Sequence, residues 1–570
     1  MLATESVCTE RILSNEYGDY LIHYNGDRRA VLDIFRDDCV FFFDDEFGVV
    51  YSSRIEMDLL RAIGTSYYVY PKCFGLMDDS NMEESGVISA QNQPSLQLRG
   101  EGTLIGIIDT GIDYQNPLFQ NEDGTTRIAA IWDQTIQSGT KPEGFPYGSE
   151  YTSEMINKAL QSGTPLEIVP SKDELGHGTF LSGIAAGNKD ENNQFTGVAP
   201  DAELLVVKLK PAKEYLKKFY EIHTELPVFQ ESDILMAVSY LMSKQNELHK
   251  PVSICIGLGT NNGPHMGVSL LEQFLSTVAR KPGFSVSIAG GNEGNARHHY
   301  AGVLTSSEDV QNVELNVADS EQGFTLEFWG NSINTFAIGI ESPLGERVRR
   351  ISPRFNKQER IQFVLEQTVV EIGYILIEEQ SGNQLILLRF VNPTPGIWNL
   401  FIYGTGQQRM PYHMWLPIRG FVRSDTFFVK SDPDITITEP STSWEPITVA
   451  AYDHRNGSIY VESGRGYTKD NRIKPDLAAP GVEVFGPGLH NRFVTQSGTS
   501  VAAAHVAGAA ALLFQWNARQ PALADLNGVQ IKQYLIRGAN RKPGVMYPNR
   551  KWGYGTLDVF AIFRSFQTIE

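Results

Sequence analysis

The chain has 570 residues, 41% of them hydrophobic and 20% charged, with a formal net charge of −19. That length implies two or three domains with sizeable cores, and the composition excludes a disordered or collagen-like chain. The acidity, with no basic run beyond residues 347–350, argues against a nucleic-acid partner, and no stretch reads as a membrane span of about 20 apolar residues. Residues 1–11 lack a basic n-region and an apolar h-region, so export by a standard signal is not expected. Cys8, Cys39, Cys73 and Cys255 lack C-x-x-C or zinc-like spacing, and reduced thiols in a reducing compartment are the expectation.

Residues 1–80 read as a compact α+β unit. Alternation predicts a strand over 20–24, a helix over 28–36 and a hairpin over 40–53 that turns at Asp44-Asp45. A helix over 55–63 and a strand over 66–70 follow. From there to about residue 303, apolar strands (104–108, 202–208, 252–258, 284–289) alternate with helices (232–245, 270–279), the signature of a parallel sheet flanked by helices. Residues 132–170 are a polar excursion with a helix over 153–161, placed to rim a cleft. Residues 304–435 change texture to short alternating strands (325–329, 335–340, 361–364, 369–376, 385–389), read as an inserted antiparallel sandwich of jelly-roll type. Its aromatic residues are expected in its core. Residues 436–570 resume the α/β pattern.

The chemistry concentrates in four short segments. Residues 496–508 read Q-S-G-T-S-V-A-A-A-H-V-A-G and put Ser500 at the start of a small-residue helix, where backbone amides favour a developing anion. A serine hydroxyl is a poor nucleophile without a base and a group that orients the base. Residues 102–113 read G-T-L-I-G-I-I-D-T-G-I-D, a buried strand ending on the carboxylate of Asp109. Residues 174–183 read E-L-G-H-G-T-F-L-S-G, with His177 between two glycines. Residues 285–295 read S-V-S-I-A-G-G-N-E-G-N, a strand running through Ala289, Gly290 and Gly291 to Asn292.

The order Asp, His, Ser and the motifs D-T-G, G-H-G-T and G-T-S-x-A-A-x-H-V-A-G resemble the three signatures of the subtilases. The resemblance implies a subtilisin-like α/β fold and serine endopeptidase activity through Asp109, His177 and Ser500, with the Asn292 amide donating to the oxyanion. It also implies that Gly257, Leu258 and Gly259 pair with substrate backbone, while Ala289, Gly290 and Gly291 wall the primary side-chain pocket. The closing segment W-G-Y-G-T-L-D-V fits the same family. Departures are Gly257 for a serine, Phe180 for a histidine, and Val501 and Ala504 for methionine and proline; none removes a group the chemistry needs. Within the subtilases the chain is most similar to the Csp-type germination proteases of Clostridia. The α+β alternation of residues 1–80 resembles the small propeptide of the subtilases, which implies self-cleavage between residues 75 and 95; an ordinary accessory domain is the alternative. The partners the resemblance implies are that propeptide and a restricted protein or peptide substrate, in a cytoplasmic or spore-associated setting. A catalytically silent regulator with the propeptide left in the cleft is the competing reading.

No other cofactor chemistry stands out. Residues 188–193 (N-K-D-E-N-N) have the oxygen-rich composition of either a calcium loop or a solvated turn. His298-His299 is a poor metal pair, since adjacent side chains diverge and no further ligands are visible. No metal site is therefore assigned, with calcium the one cofactor left open.

Overall fold

The computed structural model describes residues 5–53, 67–77, 98–353, 358–406, 409–520 and 524–567. At its centre is a largely parallel sheet in the spatial order Ser458–Ile459, Ile447–Asp453, Phe284–Ala289, Val252–Ile256, Leu104–Asp109, Glu203–Lys208, Ile128–Asp133, Ser149–Thr152. Leu477–Pro480 also pairs with Ile447–Asp453. Of these, only the short outermost strands Ser149–Thr152 and Ser458–Ile459 run antiparallel. The inner strands are buried on both faces, which explains their unbroken apolar runs.

Alternate side chains of each strand feed two cores. Ile105, Ile107, Leu204, Val206 and Cys255 pack with the helices His177–Ala186 and Thr499–Ala518. Leu104, Ile108, Leu205, Val207, Ile254 and Val286 face Glu231–Leu248 and Leu270–Arg280 on the other side. Small residues set the spacing: a Cβ on Gly508 would lie 2.5 Å from Val198 Cβ. Thr499–Ala518 has the length and hydropathy of a membrane span, but 94% of its most apolar 18-residue window is buried inside the protein, as in a core helix.

The N-terminal unit has a three-stranded antiparallel sheet with Phe47–Ser52 between Gly18–His23 and Cys39–Phe42. Asp27 caps the helix Arg28–Ile34 through the Ala30 amide. Two expectations fail here. Cys8 and Cys39 are joined in a disulfide between the helix Glu5–Leu13 and the sheet, whereas Cys73 and Cys255 are free and buried. Tyr67–Val69 forms a 3-10 turn instead of a strand, because its aromatic rings serve a buried junction with Trp329 and Lys72. The helix expected over 55–63 lies outside the described residues.

The inserted region holds two antiparallel sheets. One runs His299–Leu304, Met410–Trp415, Gly323–Gly330, Gln384–Val391, Val369–Ile375, Gln358–Gln362. The other runs Arg347–Ile351, Thr335–Glu341, Gly396–Thr405, Val310–Val317, Phe427–Phe428. Phe328, Phe336, Phe390, Trp398 and Tyr412 fill a shared core, so these aromatics are structural.

Candidate active site

Each candidate catalytic side chain of the Asp, His and Ser set sits at the end of an element. Asp109 is the last residue of its strand at the carboxyl edge of the sheet, the usual ligand edge of open α/β sheets. His177 opens its helix after Gly176, whose φ of 85° lies in the left-handed region that glycine tolerates. Ser500 is the second residue of its own helix, behind Gly498. The three meet in a buried line: His177 Nδ1 is 2.6 Å from Asp109 Oδ1, and Nε2 is 3.3 Å from Ser500 Oγ. Asp109 and Ser500 are fully buried and His177 nearly so.

A second carboxylate organises this corner. Asp173, one turn before His177, accepts from the Leu175 and Gly176 amides and from Thr110 Oγ1 with one oxygen. Its other oxygen accepts from the amide and hydroxyl of Thr179. It thus ties the turn after Asp109 to the first turn of the histidine helix. A Cβ on Gly178 would fall 2.2 Å from the Gly111 carbonyl oxygen, so the helix and that turn are in backbone contact.

Asn292 follows Gly291 and turns its Oδ1 to the Thr499 amide and hydroxyl, at 3.1 and 3.0 Å. The Thr499 hydroxyl in turn accepts from the Gly291 amide. With Oδ1 committed there, the N–H groups form the free end of the side chain, the donor end an oxyanion needs.

The cleft contains the chain's own residues 73–77. Strand Cys73–Leu76 runs antiparallel to Leu258–Gly259, with Leu76 opposite Leu258 and Gly75 opposite Gly259. On its other side it pairs with Phe229–Gln230. The Met77 amide donates to the Gly257 carbonyl at 3.1 Å, and the Ser500 amide donates to the Met77 carbonyl at 3.0 Å. Side chains alternate: Met77 and Cys73 join the core around the serine helix, while Phe74 and Leu76 pack with the opposite core. A Cβ on Gly257 would lie 3.0 Å from His177 Cε1 and 3.1 Å from Ser500 Cβ, so glycine leaves this crossing open.

The sequence-expected groups Asp109, His177, Ser500, Asn292, Gly257, Leu258 and Gly259 therefore converge on one cleft. Gly290 and Gly291 line it together with a residue the sequence did not reveal. Thr438, buried, donates its amide to the Gly290 carbonyl, and its side chain meets Cβ positions built on Gly259 and Gly291. The methyl end of Met77 lies 3.1 Å from that same position on Gly259. Ala289 is buried in the core. Asp173 carried one signal in the sequence, an acid four residues before His177; Thr438 and Met77 carried none.

The oxygen-rich segment 188–193 forms a turn. Asp190 spends its oxygens on the Asn192 and Asn193 amides and the Asn193 side chain, closing a turn, while Glu191 pairs with Lys189. Among the described residues no group of three or more His, Cys, Asp or Glu converges. His298 pairs with Glu293 at 2.6 Å and His299 with His413 at 3.0 Å, in different directions.

Residues 100–342 and 414–555 match the model of the subtilase family, and the chain belongs to that family. A solved structure of the CspB protease of Clostridium perfringens superimposes with a TM-score of 0.75 at 30% identity, covering 84% of this chain and 95% of that one. The chain is related to these Csp-type proteases. C5a peptidase of Streptococcus pyogenes is 22% identical over 81% of this chain, and Subtilisin-like protease SBT3.8 of Arabidopsis thaliana 22% identical over 78%. The chain spans 39% and 60% of the length of those two relatives.

Proposed function

We propose that this chain is a serine endopeptidase whose first substrate is its own N-terminal unit, cut after Met77. The observation that carries this reading is the Ser500 amide donating to the Met77 carbonyl at 3.0 Å, in a strand held in register by Leu258 and Gly259. Ser500 Oγ attacks the Met77 carbonyl carbon while His177 Nε2 takes its proton, and Asp109 fixes the imidazole and stabilises its cation. The oxyanion is held by the Ser500 amide and Asn292. His177 then protonates the amine of residue 78 as the peptide bond breaks, leaving an ester on Ser500. Water, deprotonated by His177, hydrolyses that ester and returns the serine hydroxyl.

On this reading residues 1–77 are a propeptide, the two-sheet insertion is a jelly-roll-like module, and later substrates are proteins recognised as extended strands. The resemblance to Csp-type proteases favours a restricted substrate, such as a zymogen activated in spore germination, in a cytoplasmic or spore-associated setting. One observation also favours a silent state. The N-terminal unit is held by two buried ion pairs, Lys72–Glu439 and Asp19–Lys213, both at 2.5 Å, so the cut product can stay in the cleft.

Intact masses of the full chain and of Ser500→Ala, expressed side by side, test the reading. The wild type should yield fragments ending at Met77 and beginning at Asp78, with Ser500→Ala at full length. Identical, uncut masses for both would overturn the protease reading; a cut N-terminal unit that stays bound and blocks cleavage of added peptides would support the silent state.

A further inference from the structure

We infer that Ile418 and Phe421 make the cleft selective for glycine at the third residue before the cleaved bond, so that the preferred substrates carry Gly-x-Met or a close relative there. The inference rests on the proposed cut after Met77, which makes Gly75 that third residue. In an extended strand the first and third residues present their side chains on one face. On this face Met77 has a pocket beside Gly259 and Thr438, but position 75 has a wall. A Cβ on Gly75 would lie 2.8 Å from Ile418 Cδ1 and 3.3 Å from Phe421 Cε1.

The wall is buried and its backbone is anchored. Ile418 is 1% and Phe421 4% exposed, and both belong to the core around the serine helix. The turn carrying them is closed by the Phe421 amide on the Ile418 carbonyl, at 3.0 Å. Between them, the Arg419 amide donates to Glu293, the neighbour of Asn292, at 2.9 Å. The Arg419 guanidinium also bridges to Glu462 and Asn295. The turn lies between the strands Met410–Trp415 and Phe427–Phe428, one in each sheet, so it is a connection within the inserted sandwich. The insertion thereby supplies a specificity element to a cleft otherwise built by the α/β core.

The test uses self-cleavage of the full chain, timed by intact mass, in Gly75→Val and in Gly75→Val/Ile418→Ala. Valine favours extended strands more than glycine does, so the substitution supports strand pairing and loses only against the wall. Overpacking of this kind predicts a slowing of about tenfold or more, with the double variant recovering to within about threefold of wild type. Gly75→Ala, run in parallel, should slow about threefold and recover in the same way, which covers the case of a valine variant that does not fold. Cleavage of Gly75→Val at the wild-type rate would overturn the inference while leaving the protease reading intact. Equal slowing in folded single and double variants would also overturn it, since the obstacle would then lie elsewhere. A wild type that never splits removes the proposed function itself, and this inference with it.

Discussion

Replacing Lys72 by methionine removes the cation at the centre of a buried nest of carboxylates where the N-terminal unit meets the catalytic fold. The Lys72 ammonium lies 2.5 Å from Glu439, both side chains are 1% exposed, and the Lys72 amide donates to Glu231. Burial opposes the lysine charge, but Glu439, Glu231 and Glu272 outweigh it and raise the lysine pKa above its usual value. Burial also raises the pKa of Glu231 and Glu439 and lifts Glu272 to about 7, because one cation is shared among three acids. At an effective dielectric of about 20, charges at this separation attract by about 7 kcal/mol, offset by several kcal/mol of desolvation per ion. Methionine keeps the length but leaves the carboxylates buried and uncompensated, so the expected loss at pH 8 is about 3–5 kcal/mol. The sign of the pH dependence follows from linkage. An acid whose folded pKa is raised destabilises the fold above that pKa, and the penalty disappears as pH falls towards its unfolded value of about 4.3. The loss should therefore shrink to about 1–2 kcal/mol at pH 5. Urea unfolding of Lys72→Met in a Ser500→Ala background, at pH 5 and pH 8, measures both values. A loss below about 1 kcal/mol at pH 8, or the same loss at both pH values, would refute the reasoning.

Two further outcomes follow from the site. Asn292→Ala should slow self-cleavage about 100- to 1,000-fold without loss of fold, read by intact mass against a circular dichroism control; that range comes from the matching asparagine of subtilisin, a member of the same family. Rates within threefold of wild type would remove Asn292 from the oxyanion role. Gly178→Ala drives a methyl into the Gly111 carbonyl and should cost about 1–3 kcal/mol, with self-cleavage slowed further because His177 is the adjacent residue. Wild-type stability in a thermal melt would show that this contact relaxes freely.

The site was legible in the sequence where function depends on backbone geometry within a few residues. Asp109, His177, Asn292 and Ser500 each sit within two residues of a glycine, at or just past the end of an element, and those local patterns survive in the linear text. The parallel strands were legible because double burial demands unbroken apolar runs. What escaped depends on distance in sequence. Lys72 and Glu439 are 367 residues apart, and Ile418 and Phe421 meet Gly75 only through the path of the inserted sandwich. The strand Cys73–Leu76 is too short to announce itself and forms because two other strands flank it. Tyr67–Val69 looked like a strand because aromatic residues favour sheets, but the Tyr67 hydroxyl is bound to Glu327, and tertiary burial overrode propensity. The Cys8–Cys39 bridge had no spacing signature, since the two residues meet through the packing of a helix on a sheet.

The separation of 323 residues between His177 and Ser500 also sets a schedule. At about 5–20 residues per second, synthesis from one to the other takes roughly 16–65 s. On the proposed mechanism, the growing chain holds through that interval a base with no nucleophile, and a product stalled before the serine helix is inert. Residues 73–77 have by then long left the ribosome. On the proposed reading, when Ser500 docks, the peptide at the highest local concentration is the one covalently tethered in the cleft, so the newborn site meets its own chain before any other substrate.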